Sequence, residues 1–183
     1  MPHNLKSYRA CQQDAVRFTG EGLFGGCDGS VDRNRELMGA GGVLTVGNTL
    51  APVLQISNPV GGPLASVRPE AVALFCLIQR LHEKITVPVL LTILSTACAC
   101  FNVCLNGEEP TIGQDQKKSS ILMSYFLPKI LRKWPKELVL FKIKSHAGCY
   151  HNELADEQAA ACATLDGQPY FVRPQKYGTY NCG

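Results

Sequence analysis

The sequence predicts an α/β fold built on one mixed sheet with helices on its faces. Three observations carry that expectation. Short, glycine-containing apolar runs follow one another closely between residues 22 and 56, the spacing of an antiparallel meander. A helical period over residues 70–84 leads into VPVLLTIL at 87–94, and an unbroken apolar run suits a central strand covered on both faces. A last strand, LVLFKI at 138–143, is followed by a helix over 152–165.

The elements follow in order. Residues 22–30 read as the first strand, and VDRNREL at 31–37 is polar and turn-like. GAGGVLTV at 39–46 and LAPVLQI at 50–56 read as the second and third strands, with Gly47-Asn48 as the turn. Pro52 points to an edge strand, because proline cannot donate to a ladder on both sides. Residues 57–69 form a loop rich in proline and glycine. Pro69 suits a first helical turn, and Ala71, Leu74, Phe75, Ile78 and Leu81 share one stripe of the helix that follows. Residues 97–105 read as a short helix, and 117–134 as a helical region that Pro128 kinks or breaks. The inner face of the last helix is expected to be Leu154, Ala155, Ala159 and Cys162. This divides the chain into an N-terminal arm or linker at 1–20, one domain at 21–166 and an irregular tail at 167–183.

A chain of 183 residues, 45% hydrophobic and 18% charged, is enough for one sizeable core and is not a disordered composition. No apolar run approaches the ~20 residues that span a bilayer. The N-terminus lacks the apolar segment of a secretory leader. The expectation is an intracellular protein, cytoplasmic or nuclear, with no membrane partner. A net charge of +3 permits nucleic-acid binding without arguing for it. The 9 cysteines contain no CxxC pair at zinc-site spacing and read as reduced, buried residues.

Chemistry gathers in three stretches. KSHAGCYHNELADEQA at 144–159 reads as a loop entering a helix, with His146 in the loop, Asn152 at the helix start and Asp156 a turn further in. Cys27-Asp28-Gly29-Ser30 ends the first strand, and Pro69-Glu70-Ala71 opens a helix. Three acids at element ends and one loop histidine are the parts of a divalent-metal phosphodiesterase, since magnesium takes hard oxygen ligands. Each residue alone has a plainer reading. Asp28 precedes a glycine as turn residues do, Glu70 favours a helix dipole, Asp156 is a helix acid and His146 a loop histidine. Asn152 either orients a substrate phosphate or water, or is a helix N-cap. Glu153 and Glu157 read as solvated.

Taken with GAGGVL at 39–44, these motifs resemble type I ribonuclease H domains, the kind found alone and at the ends of reverse transcriptases. The resemblance spans residues 22–165 and is most specific in His146, Gly148, Asn152, Glu153 and Asp156. It implies a ribonuclease H-like, five-stranded mixed sheet, three antiparallel strands then two parallel, flanked by helices. It implies that Asp28, Glu70 and Asp156 hold Mg2+ or Mn2+, and that His146 is a mobile proton carrier. The RNA strand of an RNA/DNA hybrid would be hydrolysed. Ser30 and Asn34 would contact RNA 2′-hydroxyls. Lys117, Lys118, Lys129, Arg132, Lys133 and Lys136, around Trp134, would grip the hybrid backbone; a solvated basic face is the plainer reading. A reverse transcriptase, or other domains of a larger polypeptide, would be the protein partner.

The sequence departs from the family at one position. An acid is expected at the end of the fourth strand, where LTILSTA at 91–97 places Thr96, and no acid lies between Glu83 and Glu108. The expectation is weakened cleavage, with two metal sites in an active domain and one weak site in an inactive one. The alternative is a catalytically silent hybrid-binding or scaffold domain of the same fold.

Overall fold

A computed structural model of the chain describes residues 5–9, 22–46, 49–84, 91–95, 138–143 and 148–163. Six strands form one sheet: β1 (Leu5–Arg9), β2 (Leu23–Asp32), β3 (Leu37–Val46), β4 (Leu54–Pro59), β5 (Leu91–Ser95) and β6 (Leu138–Lys142). Two helices pack on it, α1 (Val67–Lys84) and α2 (Tyr150–Cys162). The strand order is β1-β6-β5-β2-β3-β4. The run β2-β3-β4 is an antiparallel meander, and β5 and β6 continue the sheet parallel to β2. The five expected strands are present in the expected sense. The sixth, β1, comes from the stretch read as an arm or linker and pairs parallel with β6.

The turn between β2 and β3 is shorter than the polar run suggested. Asp32 Oδ1 accepts the N–H groups of Asn34 (2.9 Å) and Arg35 (3.1 Å), and Glu36 takes φ +56° to close it. β4 begins four residues later than the LAPVLQI run. Thr49 turns the chain by bonding Val46 O through both its N–H (3.1 Å) and its hydroxyl (2.8 Å). Leu50 and Val53, which gave that run its strand-like pattern, stay exposed, while Ile56 is buried. Pro52 falls outside the strand, and β4 is the edge it pointed to.

Alternation along β2 assigns the two faces. A Cβ on Gly25 or Gly29 would meet α1, whereas one on Gly26 would meet α2. α1 starts at Val67, three residues early, with Pro69 in its first turn. Every residue from Ala71 to Ile78 is buried, so this helix is enclosed all round rather than along one stripe.

α2 departs furthest from expectation. It starts at Tyr150, not Asn152, and Cys149 is its N-cap without a side-chain capping bond. Its buried stripe is Asn152, Ala155, Ala159 and Cys162; Leu154 is only half-buried. The reason is close approach. On β3, a Cβ at Gly41 would collide with Ala155 O, and one at Gly39 with Ala159 O. A helix lying backbone-to-backbone on glycine has room beneath it for alanine and cysteine but not for leucine.

Burial raises the thiol pKa values of Cys149 and Cys162. No helix among the described residues is long and apolar enough to cross a membrane. Residues 87–90, the helices expected at 97–105 and 117–134, and the tail lie outside the described residues.

Candidate functional site

Asp28 lies late on β2 with its side chain beneath α2. It is 7% exposed. Its Oδ1 accepts the Gly29 N–H at 2.8 Å, and its Oδ2 accepts Asn152 Nδ2 at 3.1 Å. Asn152 is therefore not a cap: it sits in the first turn of α2 and points down into the sheet, 1% exposed. Turning its carboxamide over would set one oxygen against another, so Asp28 fixes its orientation. The amide oxygen that remains, Asn152 Oδ1, is buried and has no hydrogen-bond partner. Leaving such an acceptor unanswered costs about 1–3 kcal/mol. A donor or a cation would satisfy it, whereas a phosphate oxygen would have to come to the Nδ2 side.

The other two acids reach the same end of the sheet from different elements. Glu70 is half-buried in the first turn of α1, and its backbone nitrogen abuts Gly29, next to Asp28. Asp156 is half-buried one turn beyond Asn152. Its neighbour Ala155 seats against Gly41, the strand partner of Asp28. On the far side of β2, Ser95 of β5 pairs with Cys27.

A carboxylate beside an amide oxygen is a hard donor set of the kind magnesium takes. Among the described residues, however, no group of three or more His, Cys, Asp or Glu side chains is close enough to hold a metal ion. The described oxygens that could face a cation there are those of Asp28 and Asn152. Glu70 belongs to the helix on the opposite face of the sheet from α2, while Asp28 is tied to α2.

Ser30 is half-buried on β2 opposite Gly39, and Asn34 is exposed at the β2–β3 turn, its N–H held by Asp32. His146, Thr96, Lys117, Lys118, Lys129, Arg132, Lys133 and Lys136 lie outside the described residues.

One support of the site, His151, has no signal in the motifs, and a second, Glu153, stands within them. His151 Nε2 lies 2.9 Å from Thr45 Oγ1, which itself donates to Phe24 O at 3.2 Å. The Thr45 hydroxyl thus bridges the Phe24 carbonyl and the ring nitrogen. The ring packs edge-on against Phe24, centroids 4.6 Å apart, and burial pushes its pKa down to about 4. His151 is therefore a neutral strut between α2 and the sheet. Glu153, expected to be solvated, instead accepts the Gly148 N–H at 3.2 Å and braces the loop into α2. Glu157 is exposed, as expected. The glycine seat did have a readable signal. Gly39 and Gly41 stand two apart on one strand, so both face the same way.

No protein-family model matches the sequence, and no curated protein matches it either. Solved structures do match the fold. RNase H1 from the halophilic archaeon Halobacterium salinarum is similar with a TM-score of 0.57 at 14% identity, over 76% of this chain and 96% of that one. The N-terminal RNase H domain of a Mycobacterium tuberculosis protein, solved as a maltose-binding-protein fusion, gives 0.56 at 13%, over 77% and 98%. LC11-RNase H1 in complex with an RNA/DNA hybrid gives 0.52 at 17%, over 76% and 97%. With β2 in mid-sheet, the meander on one side and parallel strands on the other, the chain has the ribonuclease H-like fold.

Proposed function

We propose that this chain is a ribonuclease H-like domain that binds RNA/DNA hybrids and hydrolyses the RNA strand, with cleavage weakened by Thr96. The observation that supports the reading most is the hydrogen bond between Asp28 and Asn152. It joins residues 124 positions apart, one from each of the two most telling motifs. The hybrid in the LC11-RNase H1 structure supports the substrate class.

In this reading Asp28, Glu70 and Asp156 hold Mg2+ or Mn2+. The cation, when bound, supplies stabilisation of charge on the attacking and leaving oxygens. Asn152 and the Gly29 amide fix the Asp28 carboxylate in one rotamer, so its oxygens need no reorganisation. His146 carries a proton to the leaving group or helps product depart. Ser30, Asn34, Lys117, Lys118, Arg132 and Lys133 contact the hybrid. Residues 21–166 carry the proposed site, with residues 5–9 adding a strand to the same sheet, in an intracellular domain of the reverse-transcriptase-associated kind.

The second reading is a silent hybrid-binding or scaffold domain. Thr96 favours it. A gel assay on a hybrid labelled in its RNA strand, run in magnesium and then manganese, separates the two. Cutting that Asp28→Asn abolishes supports the enzyme. Tight binding without cutting in either metal selects the silent domain. A protein that does not bind hybrids at all removes both.

A further inference from the structure

Three large apolar side chains stand in water at the end of the sheet where β2 begins. Leu50 is 64% exposed, Val53 57% and Tyr150 41%. One chain of contacts joins them. Tyr150 donates its hydroxyl to Leu50 O at 2.8 Å, and its ring meets the His151 ring edge-on with centroids 5.4 Å apart. His151 holds Thr45, and Val53 continues the β3–β4 register to lie beside Thr45. Leu154, half-buried one turn beyond Tyr150, extends the patch along α2. Val46, the remaining large apolar side chain exposed among the described residues, alternates to the other face of the sheet. Thr45 stands along β3 from Gly41, the strand partner of Asp28, by about 13 Å.

The patch lies in the acidic part of a basic chain. β3, β4, the connection between them and α2 contain no lysine or arginine, whereas α2 carries Glu153, Asp156 and Glu157. The chain as a whole has a net charge of +3. Glu157 is exposed and falls two turns from Tyr150 on the same side of the helix. A polyanion is repelled at such a surface, so nucleic acid does not suit it. Nor does a second copy. A two-fold contact would set the same acids against each other. A few hundred Å² of apolar surface also falls short of the roughly 800 Å² per partner of a standard stable interface. A short segment that sets lysine or arginine beside its apolar side chains meets both the size and the charge.

We propose that this corner docks a short cationic, amphipathic segment of a partner protein. Leu50, Val53 and Tyr150 take its apolar side chains, and Glu157 faces its cations. The inference stands whether or not the domain cuts hybrids.

The test uses the full chain and two synthetic amphipathic peptides, one of leucine and lysine at helical spacing, the other with glutamate for lysine. Amide resonances are followed during titration, and affinity is read by fluorescence anisotropy. The leucine–lysine peptide is expected to shift residues 49–54 and 150–157, and the leucine–glutamate peptide to leave them unmoved. Leu50→Ser should weaken binding about tenfold. Glu157→Gln should weaken it about threefold at low salt, a gap that closes as salt is raised. Both variants keep wild-type circular dichroism and hybrid affinity. No binding of the leucine–lysine peptide, equal binding of the two peptides, or shifts centred elsewhere overturn the proposal. Leu50→Ser or Glu157→Gln binding as wild type does so too. Self-association that Leu50→Ser abolishes makes a second copy the occupant, and hybrid that shifts the same resonances makes it nucleic acid; either result also overturns it.

Discussion

Replacing Gly41 with alanine tests the seat of α2 directly. The added Cβ would press on Ala155 O, lie 2.5 Å from Ala159 N and 3.1 Å from Ala155 C, where ordinary contact begins near 3.4 Å. These are helix backbone atoms and cannot rotate aside. The helix must lift by roughly 1 Å, a gap that forfeits a quarter to a half of each dispersion contact it made. Overpacking of this kind costs about 1–3 kcal/mol, and stretching the Asn152–Asp28 bond adds about 1 kcal/mol more. The expected loss is about 3 kcal/mol, a large part of a typical domain's stability. Gly42 is the control. It is the next residue on the same strand but faces α1, where a Cβ would have contacts no shorter than 3.6 Å. Gly42→Ala should stay within about 1 kcal/mol of wild type, on the stabilising side if the entropy of the unfolded chain dominates. Urea titrations followed by circular dichroism give both midpoints, compared at constant m-value. Equal losses in the two variants would refute the reasoning, because strand propensity would then explain both.

Other predictions concern the site and its supports. Asn152→Ala removes the donor to Asp28 Oδ2 and should destabilise by about 1–3 kcal/mol in thermal or urea melts. Asn152→Asp places two carboxylates face to face, so its deficit against wild type should shrink as pH falls through the carboxylate range. Burial holds the folded pKa of His151 at about 4, below the ordinary imidazole value of 6.5. Its contribution is therefore fully present above pH 6.5 and is lost as pH falls through 4. A shift of that size in a sealed site would be worth about 3 kcal/mol, and partial exposure of the ring discounts it to about 1–2 kcal/mol. Comparing wild type with His151→Gln at pH 7 and pH 4 isolates it; an equal drop in both proteins would count against the strut. Thr96→Asp should raise hybrid cleavage about 10–100-fold or more, measured by gel under magnesium. Efficient cutting by the unaltered chain would show that position 96 does not limit it.

The legible parts of the fold were those written in local periodicity. The meander, the central apolar strand and the existence of α1 each show in the spacing of their own side chains. β1 did not, because LKSYR is short and mixed in polarity, and it becomes a strand through the edge that β6 offers. The start of α2 was misplaced because Asn152 is a favoured capping residue type, while Cys149, the residue that caps, is not. Leu154 was placed inside by hydrophobicity, and the glycines under the helix decided otherwise. At the site, the motifs marked Asp28 and Asn152 separately. Their bond to each other is a property of the topology, as is the strut from His151 to Thr45.

β1 also decides which strand stands at one edge of the sheet. Its register covers Leu138 to Lys142 along the whole length of β6. A chain trimmed to begin at residue 21 would bare that row of amides and carbonyls, an invitation for a neighbouring copy to add its own strand. With β1 in place the edge passes to a five-residue strand of mixed polarity, shorter and less apolar than an edge made by LVLFK.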